Sequence, residues 1–165
     1  MGSGKTTIGV PLARALERRF VDNDTQLFER AGTTAADLAA RDGVATLHDA
    51  EAEGLLAALR APRASVIAAA ASTIEVAEVR RVLGSDAFTV WLQAAPAALV
   101  ERLPKSPTRP FALEDPEHLV ARQAEARDHL YARVADLTAE SDQSTPAAVV
   151  AEILAKLPGD LLASR

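Results

Sequence analysis

The stretch that most constrains this chain is its opening, "MGSGKTTIGVPLARAL". Gly4, Lys5 and Thr6 match the end of the G-x-x-x-x-G-K-[ST] pattern, in which a glycine-rich turn leads from a buried strand into a helix. Backbone N–H groups in such a turn converge on phosphate oxygens, and the glycines let the backbone approach closely. The helix start adds partial positive charge. Ile8, Leu12, Ala15 and Leu16 give the following segment one apolar face, so a helix is predicted, with a local kink at Pro11. The first glycine of the pattern falls two residues before Met1. The expectation is that Met1 is an internal methionine or that the chain is truncated, with the first strand missing.

The rest of the chain alternates helix and strand signals, which predicts an α/β protein with a parallel sheet. "RFVDND" reads as a short strand ending in two acids, and alternation would aim Asp22 and Asp24 the same way. "TTAADLAARDG" has a capping-box-like start at Thr34 and Asp37 and a Gly43 stop. "LHDAEAEGLLAALR" predicts a helix, "SVIAAAAS" a buried strand and "FTVWLQ" another strand. The proline-rich "LPKSPTRPFALEDP" is a loop, and Asp115-Pro116 and Thr145-Pro146 each read as N-cap and first residue of a helix. Leu119, Gln123, Ala126, Leu130 and Val134 mark the face of the longer helix. Val149, Val150, Ile153, Leu154 and Leu157 mark that of the last one. With 165 residues and no interdomain linker, one domain over 1–165 is expected, with residues 158–165 a frayed tail.

Composition removes several function classes. The net charge of -5 argues against a nucleic-acid partner held by a broad basic surface. The absence of cysteine removes disulfides, thiol catalysis and thiolate metal sites. No apolar run approaches the ~20 residues of a membrane span. A cytoplasmic, monomeric protein without a membrane partner is the default expectation.

The order "GSGKTTIG…LA…L…FVDND…G…E…VIA…VWL…RL…RP…R…LY..VAD" resembles the shikimate kinases, small P-loop enzymes, over nearly the whole chain from Met1 to about Leu157. The resemblance implies a three-layer P-loop kinase fold with a parallel sheet of order 2-3-1-4-5, here lacking strand one. It also implies a lid at about 104–115 and ATP- and Mg²⁺-dependent phosphorylation of a small hydroxylated acid. Gly2, Ser3, Gly4, Lys5, Thr6 and Thr7 would then hold ATP, with Lys5 on the transferring phosphoryl group and Thr6 on the metal. Asp22 takes the metal side of the family's Asp-x-Asp, and Asp24 the substrate hydroxyl. Arg109 matches the lid arginine, whose guanidinium would stabilise phosphoryl charge. Arg102 and Asp142 fall in the adenine-binding segments. Arg127 matches an arginine that binds the substrate carboxylate; pairing with Glu125 or Asp128 on its own helix is the alternative.

Two departures affect the acceptor side. His48 stands where the family has a second carboxylate-binding arginine, and histidine cannot make its two-pronged contact. Losing one charge-assisted contact costs about 1.5–3 kcal/mol. Glu51 matches the family's acid. Ala70, Ala71 and Ser72 stand where the family has three glycines, so Cβ atoms narrow the pocket and Ser72 adds a hydroxyl. The leading expectation is a kinase for shikimate or a related hydroxy acid. A kinase for another acceptor, such as a gluconate-like sugar acid, and a non-catalytic nucleotide-binding protein are the alternatives.

Overall fold

The computed structural model of the protein describes residues 2–103 and 115–163. Helix α1 spans Lys5–Ala15 and strand β1 spans Arg19–Asp22. Three helices follow: α2 (Asn23–Ala31), α3 (Ala35–Asp42) and α4 (Val44–Leu59). Strand β2 (Ser65–Ala68) runs into a 3₁₀ turn at Ala71–Glu75 and then helix α5 (Ala77–Asp86). Strand β3 (Val90–Gln93), α6 (Pro96–Arg102) and α7 (Pro116–Val134) come next. The chain ends with β4 (Leu137–Glu140), α8 (Pro146–Lys156) and α9 (Gly159–Ala163).

The strands form two parallel pairs, β1 with β2 and β3 with β4. Asp22 lies opposite Ala68 in the first pair, and Gln93 opposite Glu140 in the second. Each pair is joined by a helical crossover, as parallel pairing demands. Counted from the second strand of the 2-3-1-4-5 order, the pairs are 2-3 and 4-5. Among the described residues no strand joins them, and a cavity of about 500 Å³ lies between, with Val66 and Ile67 on one wall and Val90 and Trp91 on the other.

Helices cover the strands through three apolar clusters. Ile8 and Leu12 of α1 meet Val149, Val150 and Ile153 of α8 over Ala139 of β4. Ala52, Leu55 and Leu56 of α4 meet Val79 and Val82 of α5. Leu27, Leu38, Ala39 and Leu47 tie α2, α3 and α4 together. One glycine fixes how closely α1 approaches β1: a Cβ on Gly9 would lie 2.5 Å from the Phe20 ring.

Most helix starts follow the local signals. Asp37 N–H donates to Thr34 Oγ1 at 3.1 Å, His118 N–H to Asp115 Oδ2 at 3.0 Å, and Ala148 N–H to Thr145 Oγ1 at 3.2 Å. Several details differ from the sequence reading. Helix α4 starts at Val44, three residues before Leu47, because Gly43 at φ +92° ends α3 and begins α4 in one step. Helix α7 turns its Leu119–Val120 side inward, and Ala126 is exposed. Strand β4, "LTAE", carries too little apolar pattern to be read as a strand. Beyond Pro158, where the sequence suggests a loose tail, α9 forms and Arg18 donates to the Leu161 carbonyl at 2.6 Å.

Candidate active site

The glycine-rich turn sits at the N-terminal end of α1. Gly2 (φ +77°) and Gly4 (φ +83°) both occupy the left-handed region, where a Cβ is costly. Gly4 is the helix N-cap and offers no side chain, so the first-turn N–H groups of α1 have no capping side-chain partner. A Cβ on Gly2 would also lie 3.2 Å from Cβ of Arg102. Arg102, at the end of α6, donates to the Gly2 carbonyl at 3.3 Å and to the Ser141 carbonyl at 3.4 Å. Asp142 accepts from Ala95 N–H at 3.0 Å. The turn, Arg102 and the segment after β4 therefore share one rim, while Thr6 and Thr7 face solvent.

The two acids reach that rim differently from the alternation expected of a strand. Asp22 ends β1, but Asn23 already begins α2, so Asp24 stands in the first helical turn. An aspartate at the N-cap makes this switch favourable, because its side chain satisfies a free N–H of the new helix. Asp24 N–H donates to Asp22 Oδ1 at 3.0 Å, and Thr6 Oγ1 donates to Asp22 Oδ2 at 3.2 Å. Thr6 and Asp22 line a cleft of about 270 Å³. Ser3 and Lys5 instead border the larger cavity between the strand pairs, with Ala70, Ala71 and Arg127.

The residues expected on the acceptor side converge on Glu51 of α4. Ser72, at the first turn after β2, donates to Glu51 Oε2, and both side chains are buried. Burial pushes the Glu51 carboxyl above its ordinary value; the Ser72 hydrogen bond, His48 and Arg127 oppose the shift, and Asp24 adds to it. Asp24, His48, Ser72 and Arg127 thus lie close enough to Glu51 to influence its charge. His48 is half-buried, one turn before Glu51.

Arg127, in the middle of α7, donates from Nε to Glu75 Oε1 at 2.6 Å. Its partner is therefore on the 3₁₀ turn, not Glu125 or Asp128 on its own helix. One turn further along α7, the Tyr131 hydroxyl donates to the Ala71 carbonyl at 2.9 Å, and its ring stacks on Trp91 at 5.6 Å. Burial pushes the Tyr131 hydroxyl up to about 12, so it stays a neutral donor.

The structure gathers Gly2, Lys5, Thr6, Asp22, Arg102 and Asp142 at one end, and Asp24, His48, Ala70, Ala71, Ser72 and Arg127 beside it. Arg109 and the expected lid, apart from Asp115, lie outside the described residues. Sequence reasoning matched Glu51 to the family's acid without naming its partners, and gave no role to Glu75 or Tyr131. The i, i+4 spacing of Arg127 and Tyr131 places both on one side of α7 and was the available signal. Glu75 carries no local signal, because the 3₁₀ turn that presents it is too short to leave a pattern.

Known proteins with this order of residues are kinases. A family profile described as shikimate kinase matches residues 1–158. A shikimate kinase of Bordetella pertussis is 34% identical over 158 residues, covering 95% of this chain and 74% of the relative. One from Parasynechococcus marenigrum is 37% identical over 160 residues, covering 96% and 82%. The solved structure of an Acinetobacter baumannii shikimate kinase in complex with shikimate superposes with a TM-score of 0.87 at 29% identity, over 93% of this chain and 86% of that one. The Aquifex aeolicus enzyme gives 0.82 at 28% identity, over 97% and 93%. The parallel strand pairs and the glycine-rich turn are those of the P-loop kinase fold, and the chain is a P-loop small-molecule kinase belonging to the shikimate kinase family.

Proposed function

We propose that this kinase transfers the γ-phosphoryl group of ATP to a hydroxyl of shikimate or a closely related hydroxy acid, using Mg²⁺. The observation that carries the reading is Asp22, which links the Thr6 hydroxyl to the Asp24 backbone. With Thr6 at the phosphate end and Asp24 as the acceptor acid, this chain supports transfer between the two. Relatives by sequence and by structure are shikimate kinases, and nothing among them favours a sugar-acid acceptor or a non-catalytic role.

In this reading the Gly2–Thr7 backbone and Lys5 hold the β- and γ-phosphates, while Arg102 and Asp142 border the base. Thr6 Oγ1 and Asp22 Oδ2 are hard oxygen donors 3.2 Å apart, the donor type that suits Mg²⁺, which keeps most of its other contacts for phosphate and water. When bound, the ion neutralises phosphate charge. Asp24 accepts the proton of the attacking hydroxyl as its oxygen forms the new bond to γ-phosphorus. The bond from γ-phosphorus to the bridging oxygen breaks, and the electron pair leaves with ADP. Arg127 faces the acceptor carboxylate, with His48 as a weaker second contact, and Arg109 adds positive charge over the transferring group. Ser72 fixes the buried Glu51 carboxylate beside these residues.

An ADP-release assay coupled to a panel of hydroxy acids and sugar acids tests this. ADP release stimulated most by shikimate or a close relative is the expected result. No stimulation by any hydroxy acid would sink the reading.

A further inference from the structure

Arg127 already holds a carboxylate. Its side chain is only 13% exposed and contacts Glu75 at 2.6 Å, whereas Glu75 is 42% exposed. Glu75 ends the same 3₁₀ turn that begins at Ala71 and Ser72, so it belongs to the segment that lines the acceptor side. An isolated arginine in that place would present an uncompensated charge to an incoming acid. This one presents a neutralised pair. The pair is also unequal: the arginine is fixed in the wall, and the acid is the half open to solvent and free to leave.

We propose that Glu75 is a specificity-determining residue, a built-in competitor for the carboxylate-binding face of Arg127. Glu75 already takes the Arg127 Nε, so an acid acceptor must share the guanidinium with that carboxylate or displace it, and gains less of the arginine's charge. Lys5 borders the same cavity but is engaged by phosphate in this reading, and His48 is the weaker contact, so the pocket then draws little advantage from a negative charge on the acceptor. The chemical consequence is weak discrimination between a hydroxy acid and its uncharged carboxamide. The opposite role for Glu75 is to aim Arg127 at the acid, as a positioning residue does. The two roles predict opposite changes when the charge is removed.

This inference rests on the proposed function for the identity of the acceptor, but its test does not need turnover. The probes are shikimate and its carboxamide, titrated by calorimetry into the ADP-bound protein, so an inactive kinase would still give an answer. For the unaltered protein, a preference for acid over amide below about fivefold is expected, the scale of one partly exposed ion pair. E75Q, which keeps the volume and loses the charge, should tighten shikimate binding about fivefold and leave the carboxamide nearly unchanged. E75D, which keeps the charge, should shift acid affinity less than E75Q does. In turnover the gain appears in KM for the acid and not in kcat. Weaker or unchanged shikimate binding in E75Q overturns the proposal, as does a strong acid preference in the unaltered protein or undetectable shikimate binding in both. Should E75Q fail to fold, the acid-to-amide ratio of the unaltered protein decides alone.

Discussion

Thr6 Oγ1 and Asp22 Oδ2 lie 3.2 Å apart, and this contact joins the glycine-rich turn to the end of β1. The other oxygen of the same carboxylate caps α2 through Asp24 N–H at 3.0 Å. Asp22 therefore has a structural task beside the proposed metal role, and two substitutions separate them. D22N keeps an acceptor for the helix N-terminus, and asparagine is as good an N-cap as aspartate. D22A loses the cap and should cost about 1 kcal/mol of stability. If Asp22 also serves the metal, both variants should need far more Mg²⁺ for half-maximal rate. Thermal melts and Mg²⁺ titrations of turnover read the two effects; an unchanged Mg²⁺ requirement would remove the metal role.

Asp24 is exposed in the first turn of α2, beside the Glu51 cluster. If it takes the acceptor's proton as proposed, it should control kcat more than nucleotide affinity. D24N is expected to lower kcat by about a hundredfold or more, the usual size of a general-base contribution. ATP binding by calorimetry should stay within about twofold, given the distinct site of the phosphate contacts. A variant that turns over at the original rate would refute the role.

The Ser72–Glu51 contact gives a pH signature. Burial holds the Glu51 proton to a higher pH in the folded protein than in the unfolded chain. Between those two values the folded state binds more protons, so stability falls as pH rises through the interval. E51Q has no proton to lose and should flatten that part of the curve. S72A leaves the buried carboxyl without its hydroxyl donor, costs about 1–3 kcal/mol, and moves the fall to higher pH. Denaturant melts from pH 4 to pH 8 (a range set by ordinary carboxylate values) measure both. A slope that survives in E51Q would assign it to another group.

Packing makes its own prediction at Gly9. Its added Cβ would stand 2.5 Å from the Phe20 ring, between α1 and β1. G9A should destabilise the protein by about 1–3 kcal/mol despite alanine's better helix propensity. Since α1 follows the glycine-rich turn proposed to hold phosphate, weaker ATP binding should accompany the lower melting point. A neutral or stabilising G9A would show that the helix–strand spacing is relaxed.

Much of this architecture is legible locally. Thr34, Asp115 and Thr145 each sit before a helix and each accepts from the N–H three residues on, so short-range chemistry locates those starts. The stripe of Val149, Val150 and Ile153 is buried as its spacing demands. What resists reading is set by tertiary contact. Strand β4 is recognisable only through its pairing with β3, and the Arg127–Glu75 pair joins residues that α5, β3, α6 and half of α7 separate in sequence. Asp24 shows the middle case. The acid is visible in the sequence, but the strand-to-helix switch at Asp22, two residues earlier, changes how it is presented.

The most direct test of the central claim is phosphoryl transfer itself. The chain is incubated with Mg²⁺, shikimate and ATP labelled in its γ-phosphate, and the label is followed by chromatography. A labelled phosphate ester of shikimate should accumulate in step with ADP and be lost in D24N. Label that stays in ATP, or that appears only as inorganic phosphate at a rate indifferent to shikimate, would contradict it.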